Sequence, residues 1–119
     1  MKNLNWLLSL IGCCTLGCFS TAAATNYVWQ GSPSPTPPFT NWATAARNIQ
    51  RAVDAARPGD TVLVTNGVYA TKGRAVSGAM TNRVTVDKPL TVLSVNGPAV
   101  TVIQGRWVPR TTNGDGAIR

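Results

Sequence analysis

Pro58-Gly59-Asp60-Thr61-Val62-Leu63-Val64-Thr65-Asn66-Gly67-Val68-Tyr69 decides how this chain is read. It is a tight turn, an apolar run suited to a strand, a second turn and a short apolar pair. Thirty residues on, part of it returns. Thr61-Val62-Leu63-Val64-Thr65-Asn66-Gly67 aligns with Thr91-Val92-Leu93-Ser94-Val95-Asn96-Gly97, identical at Thr, Val, Leu, Asn and Gly. A repeat of this length suggests a structural unit that stacks on copies of itself.

Two foldings of the repeat compete. Asn-Gly closes two-residue hairpins, which would give an antiparallel meander. Val68-Tyr69, however, is too short to pair along Thr61–Val64. Pro98, just after Asn96-Gly97, removes a backbone donor that a hairpin would use. Turns that bend away fit better, and they place Thr61–Val64 beside Thr91–Ser94 in parallel. Further strand-like runs are expected at Asn26–Trp29, Val68-Tyr69, Arg83–Val86, Leu90–Val95 and Val100–Ile103, with Thr71–Asn82 as a loop. With a period of two, Val62, Val64, Leu90 and Val92 point to the core, and Thr61, Leu63, Thr91 and Leu93 point out. The two outward leucines need cover, for which the loop Gly31–Thr40 is available.

Upstream, Asn48 to Arg57 has helical periodicity. Ile49, Ala52, Val53 and Ala56 make one apolar face. Asn48 suits the N-cap, Arg51 and Asp54 are spaced to pair on the wet side, and Arg57 suits the negative end of the dipole. Pro58-Gly59 ends the helix. So short a helix is marginal alone, and its apolar face must cover something. Gly31–Thr40 holds four prolines in ten residues, which excludes helix and predicts an extended, polyproline-like surface loop.

The string from Asn48 through Arg57-Pro58-Gly59-Asp60 to Val64, followed by Asn66-Gly67-Val68-Tyr69, resembles the opening of secreted right-handed parallel β-helix proteins of the pectin-lyase-like class. Asn82 to Gly97 resembles the next coil. The resemblance runs from about Tyr27 to the C-terminus. It implies an all-β fold, a right-handed parallel β-helix (solenoid), with an N-terminal capping helix and the first two to three coils, truncated. The expected divisions are a signal peptide at 1–24, an N-terminal strand and Pro-rich loop at 25–47, the capping helix at 48–57 and incomplete coils at 58–119. About three repeats are needed for a stable solenoid and two are visible, so a fragment of a longer protein is expected.

Export is read from Met1–Ala24. Lys2 is a minimal positive start, Leu4 to Phe19 is apolar, and Ala22-Ala23-Ala24 offers small residues for cleavage, which together make a secretory signal. The apolar run is shorter than a membrane span and is broken by Ser9, Gly12, Thr15 and Gly17. No stable span is therefore expected after cleavage, and the protein is expected to be secreted or at the cell surface. All three cysteines, Cys13, Cys14 and Cys18, fall inside the segment. Leu16-Gly17-Cys18 loosely resembles a lipoprotein box, so lipidation at Cys18 is the alternative.

The formal charge of the 119 residues is +7, and loss of Lys2 leaves +6. The cations are scattered, not run together. With export, this argues against nucleic acid; a solvated basic surface is the leading reading, and an acidic polysaccharide or cell-surface glycan is the alternative partner class.

The sequence contains no His and no Glu. That removes Ser-His-Asp triads, His-based zinc sites and Glu acid/base pairs. Asp54 is read as a surface charge, Asp60 and Asp87 as turn residues, and Asp115 as a turn in a ligand-like loop. Polysaccharide lyases of the resembled class use calcium held by acidic residues, with an Arg or Lys as base, on later coils. No matching acidic cluster occurs here. No catalytic, cofactor-binding or metal residue is assigned, and no cofactor. The expected function is a non-catalytic N-terminal cap with first coils, carbohydrate-associated when full length. The alternatives are a fragment of a polysaccharide lyase or glycoside hydrolase whose catalytic coils are missing, and a surface adhesin or structural stalk.

Overall fold

The computed structural model describes residues 22–78, 80–110 and 117–119. Among the described residues the strands are β1 (Thr25–Val28), β2 (Thr61–Val64), β3 (Gly67–Tyr69), β4 (Arg74–Ser77), β5 (Met80–Asn82), β6 (Thr91–Ser94) and β7 (Thr101–Ile103), with one helix, α1 (Ile49–Ala55). The described fold is mostly strand, and its sheets close no barrel.

The repeat pairs as its spacing demands. β2 lies parallel to β6 with Thr61 opposite Thr91, Val62 opposite Val92 and Leu63 opposite Leu93. On the other side β2 pairs in parallel with β1, Thr25 opposite Thr61, giving the order β1-β2-β6. After the Asn-Gly turns, β3 and β7 pair in parallel as a second, two-stranded sheet, Val68 opposite Val102. The turns also stack: Asn96 Nδ2 donates to Asn66 Oδ1 at 2.7 Å. Gly97 takes φ +85, the left-handed region that glycine enters without a steric penalty.

Strand parity sorts the side chains. Asn26, Val28, Val62 and Val64 are buried, while Tyr27 and Leu63 between them are half-buried on the opposite face. Inward residues of β6 are less covered, because among the described residues no strand pairs beyond it: Val92 is 40% exposed. Leu90 packs against the core only in part. Of the two outward leucines, Leu63 is half-buried and Leu93 stays 53% exposed.

Helix α1 starts as expected, with Asn48 Oδ1 accepting from Arg51 N–H at 3.0 Å. Ile49, Ala52, Val53 and Ala56 all enter one buried cluster with Val28, Val62, Val64 and Tyr69. Its charges settle differently from expectation. Arg51 does not pair with Asp54 but lies over the Phe39 ring, 5.6 Å from the centroid. Asp54 instead pairs with Arg74 at 2.6 Å. The helix C-terminus is served by Lys88, not Arg57: Lys88 Nζ donates to the Ala56 carbonyl at 2.7 Å.

Three local expectations are corrected. Gly31–Thr40 is turned, not extended. Ser32 N–H donates to Trp29 O, and Ser34 and Thr36 N–H donate to Ala43 and Thr44 O, zipping the loop to the segment after it. Its Phe39 is 1% exposed and joins the core, with φ +63, and its carbonyl accepts from Tyr27 N–H at 2.7 Å. With Ala46, which exchanges backbone bonds with Tyr27 and Trp29, it covers the edge of β1. Thr71–Asn82 contains an antiparallel hairpin, β4 with β5, carrying a bulge between Ala75 and Ser77. Arg83–Val86 is not a strand. The buried Arg83 guanidinium donates to the carbonyls of Gln104 and Lys72. The Gln50 amide brackets Thr85, accepting from its N–H at 2.7 Å and donating to its carbonyl at 3.1 Å. The Gln50 amide thus satisfies the Thr85 backbone groups that a ladder would otherwise use.

Candidate functional site: an aromatic groove

The most distinctive surface feature is a groove on the outer face of the β1-β2-β6 sheet. Trp29, Trp42, Thr65 and Val95 line it, and its volume is about 340 Å³. Three of the four come from one rule. The β1-β2-β6 ladder continues one residue past each strand, with Thr65 N–H donating to Val28 O and Val95 N–H to Val64 O. Trp29, Thr65 and Val95 therefore follow one another across the strands on the outward parity. At about 4.8 Å per strand, they span roughly 10 Å.

Each wall is held. The Trp29 indole lies against Gly31, where a Cβ would come within 3.0 Å of the ring. A side chain at Gly31 would press on the ring. Trp42 stands on an Asx turn: Asn41 Oδ1 accepts from Thr44 N–H at 2.9 Å and from its hydroxyl at 3.0 Å. The Trp42 ring packs edge-on against Tyr27, centroids 4.5 Å apart and planes at 75°, a favoured aromatic geometry. Arg47 ties the loop down by donating to Ser32 O at 2.9 Å. The floor is apolar because the Thr65 hydroxyl turns away, donating to Val28 O at 3.1 Å and meeting the Tyr69 hydroxyl at 3.3 Å. Burial pushes the Tyr69 hydroxyl above its ordinary pKa, with Thr65 opposing. Trp29 and Val95 remain 39% and 44% exposed.

Among the described residues, no charged side chain lines the groove. It offers ring faces and methyl groups, with the two indole N–H groups as the polar atoms of its aromatic walls. It is suited to holding a flat, partly apolar ligand.

The carboxylates expected in turns lie elsewhere. Asp60 does cap its turn, with Oδ2 accepting from Arg57 N–H and Oδ1 from Ala24 N–H. These two donors, Arg57 first, hold its carboxyl below the ordinary range, partly opposed by burial. Asp54 and Asp87 share Arg74, at 2.6 and 3.9 Å. Asp115 falls outside the described residues, as does all but the last three residues of the expected signal segment. Among the described residues, no group of three His, Cys, Asp or Glu comes together, and no helix is long and apolar enough to cross a membrane.

Sequence reasoning missed the groove. Trp42 lies in a stretch without periodicity, and only the zipped loop brings it to Trp29. One signal was available: Trp29 shares the parity of Tyr27, opposite the inward Val28. In comparisons with known proteins, no family model, no curated protein and no solved structure matched the chain.

Proposed function

We propose that this chain is the N-terminal cap and first coils of an exported right-handed parallel β-helix protein of pectin-lyase-like type, and that it is a carbohydrate-associated, non-catalytic unit. The observation that carries the binding reading is the Trp29–Trp42 groove. A pyranose presents a patch of polarised C–H bonds on one face, and an indole presents a negative π face, so the two attract when stacked. Rigid rings lose little entropy on binding. The groove's length across three strands fits a chain of sugars better than one compact ligand. Its aromatic and methyl lining meets the C–H face of a sugar rather than its hydroxyls. The scattered cations outside it remain available to an acidic glycan.

The architectural part is supported by the parallel register at offsets of 30 and 34 residues, the Asn66–Asn96 contact between turns and the burial of the α1 apolar face. The export part rests on Met1–Ala24. The test is depletion of the protein from solution by insoluble neutral and acidic polysaccharides, compared with Trp29→Ala and Trp42→Ala. Retention on a neutral polysaccharide that both substitutions abolish supports the reading. Equal retention of all three proteins places any binding outside the groove, and retention of none leaves the stalk reading.

A further inference from the structure

Ala24 is built into the fold on both sides of its backbone. Its N–H donates to Asp60 Oδ1 at 2.8 Å, and its carbonyl accepts from Thr61 N–H at 2.9 Å, continuing the β1-β2 ladder. Asp60 is only 5% exposed. Its other oxygen takes the Arg57 N–H at 2.9 Å. Among the described residues, the ion pairs run from Arg74 to Asp54 and Asp87, and none reaches Asp60. A buried carboxylate whose hydrogen bonds come only from neutral backbone donors is an uncommon arrangement, and the side-chain charges of Arg57 and Lys88 act on it through space. It faces a groove of about 370 Å³ lined by Ala22, Ala24, Arg57, Gly59 and Asp60 among others.

The small-residue rule for signal cleavage puts the cut after Ala24, with Ala22 and Ala24 at its two small positions. That cut discards both backbone groups of Ala24. Asp60 Oδ1 then loses its donor, and Thr61 N–H loses its acceptor. Leaving such groups unsatisfied is costly. A cut one bond earlier keeps both, with Thr21 and Ala23 at the small positions. It also converts the Ala24 amide nitrogen into an ammonium at the place where Asp60 already accepts.

We propose that export-linked proteolysis cuts the Ala23–Ala24 bond and that the new α-ammonium of Ala24 pairs with Asp60. The proposal rests on the export reading given above. Water is the only co-reactant: its hydroxyl adds to the Ala23 carbonyl carbon as the C–N bond breaks, and its hydrogen goes to the Ala24 nitrogen. The proton of the resulting carboxyl then passes to the amine, leaving a carboxylate and an ammonium. Asp60 acts after the cut, as the counter-charge that seats the terminus, and takes no part in it.

N-terminal sequencing and intact mass of the exported protein test the placement. A single species beginning at Ala24 is expected. A start at Thr25, Ala23 or Ala22 overturns it. An unprocessed Met1 terminus, or a lipid-bearing Cys18 terminus, overturns the export reading itself and is told apart by mass. A second measurement separates an ion pair from a mere backbone contact. Denaturant midpoints are compared for chains beginning at Ala23, Ala24 and Thr25, each with and without Asp60→Asn. The Ala24 chain is expected to be the most stable, and Asp60→Asn is expected to erase its advantage over the Ala23 chain. An advantage that survives Asp60→Asn refutes the pairing.

Discussion

Phe39→Ala removes the largest fully buried side chain among the described residues. Phe39 enters the core from a proline-rich loop, packs in the cluster containing Val28, Val53 and Val62 and carries Arg51 over its ring at 5.6 Å. Truncating a buried Phe to Ala costs about 3–5 kcal/mol, and loss of an exposed cation–π contact adds about 0.5–1 kcal/mol. The sum is a large share of the roughly 5–15 kcal/mol that holds a domain together. With a urea slope of about 2 kcal/mol/M, the midpoint should fall by about 2 M. Phe39 also sits at φ +63, where a side chain costs about 1–2 kcal/mol that glycine avoids. Phe39→Gly should therefore be no worse than Phe39→Ala, the reverse of the usual order. Urea unfolding followed by far-UV circular dichroism reads both. A midpoint for Phe39→Ala within about 0.3 M of the parent chain, or Phe39→Gly clearly below Phe39→Ala, would refute the view that this loop anchors the core.

Val53 is wholly buried on the α1 face, so Val53→Asp places an unpaired charge in the core at several kcal/mol. Soluble folded protein should be lost, and an unchanged thermal midpoint would show that the helix face is not where the fold closes. Asp60 has its carboxyl held below the usual value of 3.8, first by the Arg57 N–H and then by the Ala24 N–H. A depressed folded pKa contributes stability that is fully present above that value and is lost as pH falls through the folded pKa. Acid titration should show this loss, and Asp60→Asn should flatten the acid limb. An identical limb in both proteins would contradict the assignment.

Much of the scaffold was legible because it repeats or is periodic. The Thr-Val-Leu and Asn-Gly matches gave the β2-β6 register to the residue, and the 3.6-residue spacing of Ile49, Ala52, Val53 and Ala56 gave the buried face of α1. What escaped was decided by side chains acting on distant backbone. Arg83–Val86 has strand composition, yet the Gln50 amide takes the Thr85 N–H and carbonyl that a ladder would use. Phe39 looked like a loop residue because its neighbours are prolines, and composition says nothing of which way a turned loop points. The groove depends on Trp29 and Trp42, thirteen positions apart, meeting through bonds such as Ser32 Oγ to Ala43 O at 3.1 Å. No local pattern encodes that meeting. Chemistry was legible mainly through absence of residue types, which bounded what the chain can do and did not point to a ligand.

The claim that a glycan occupies the groove is tested most directly by the indole N–H signals in two-dimensional NMR. Trp29 and Trp42 line the groove, while Trp107, 73% exposed and not among the lining residues, serves as an internal control. Titration with a soluble neutral oligosaccharide should move the Trp29 and Trp42 signals together along one saturable curve and leave Trp107 in place. Saturable movement of Trp107 alone, or no movement of Trp29 and Trp42 across the neutral and acidic oligosaccharides tried, would contradict the account.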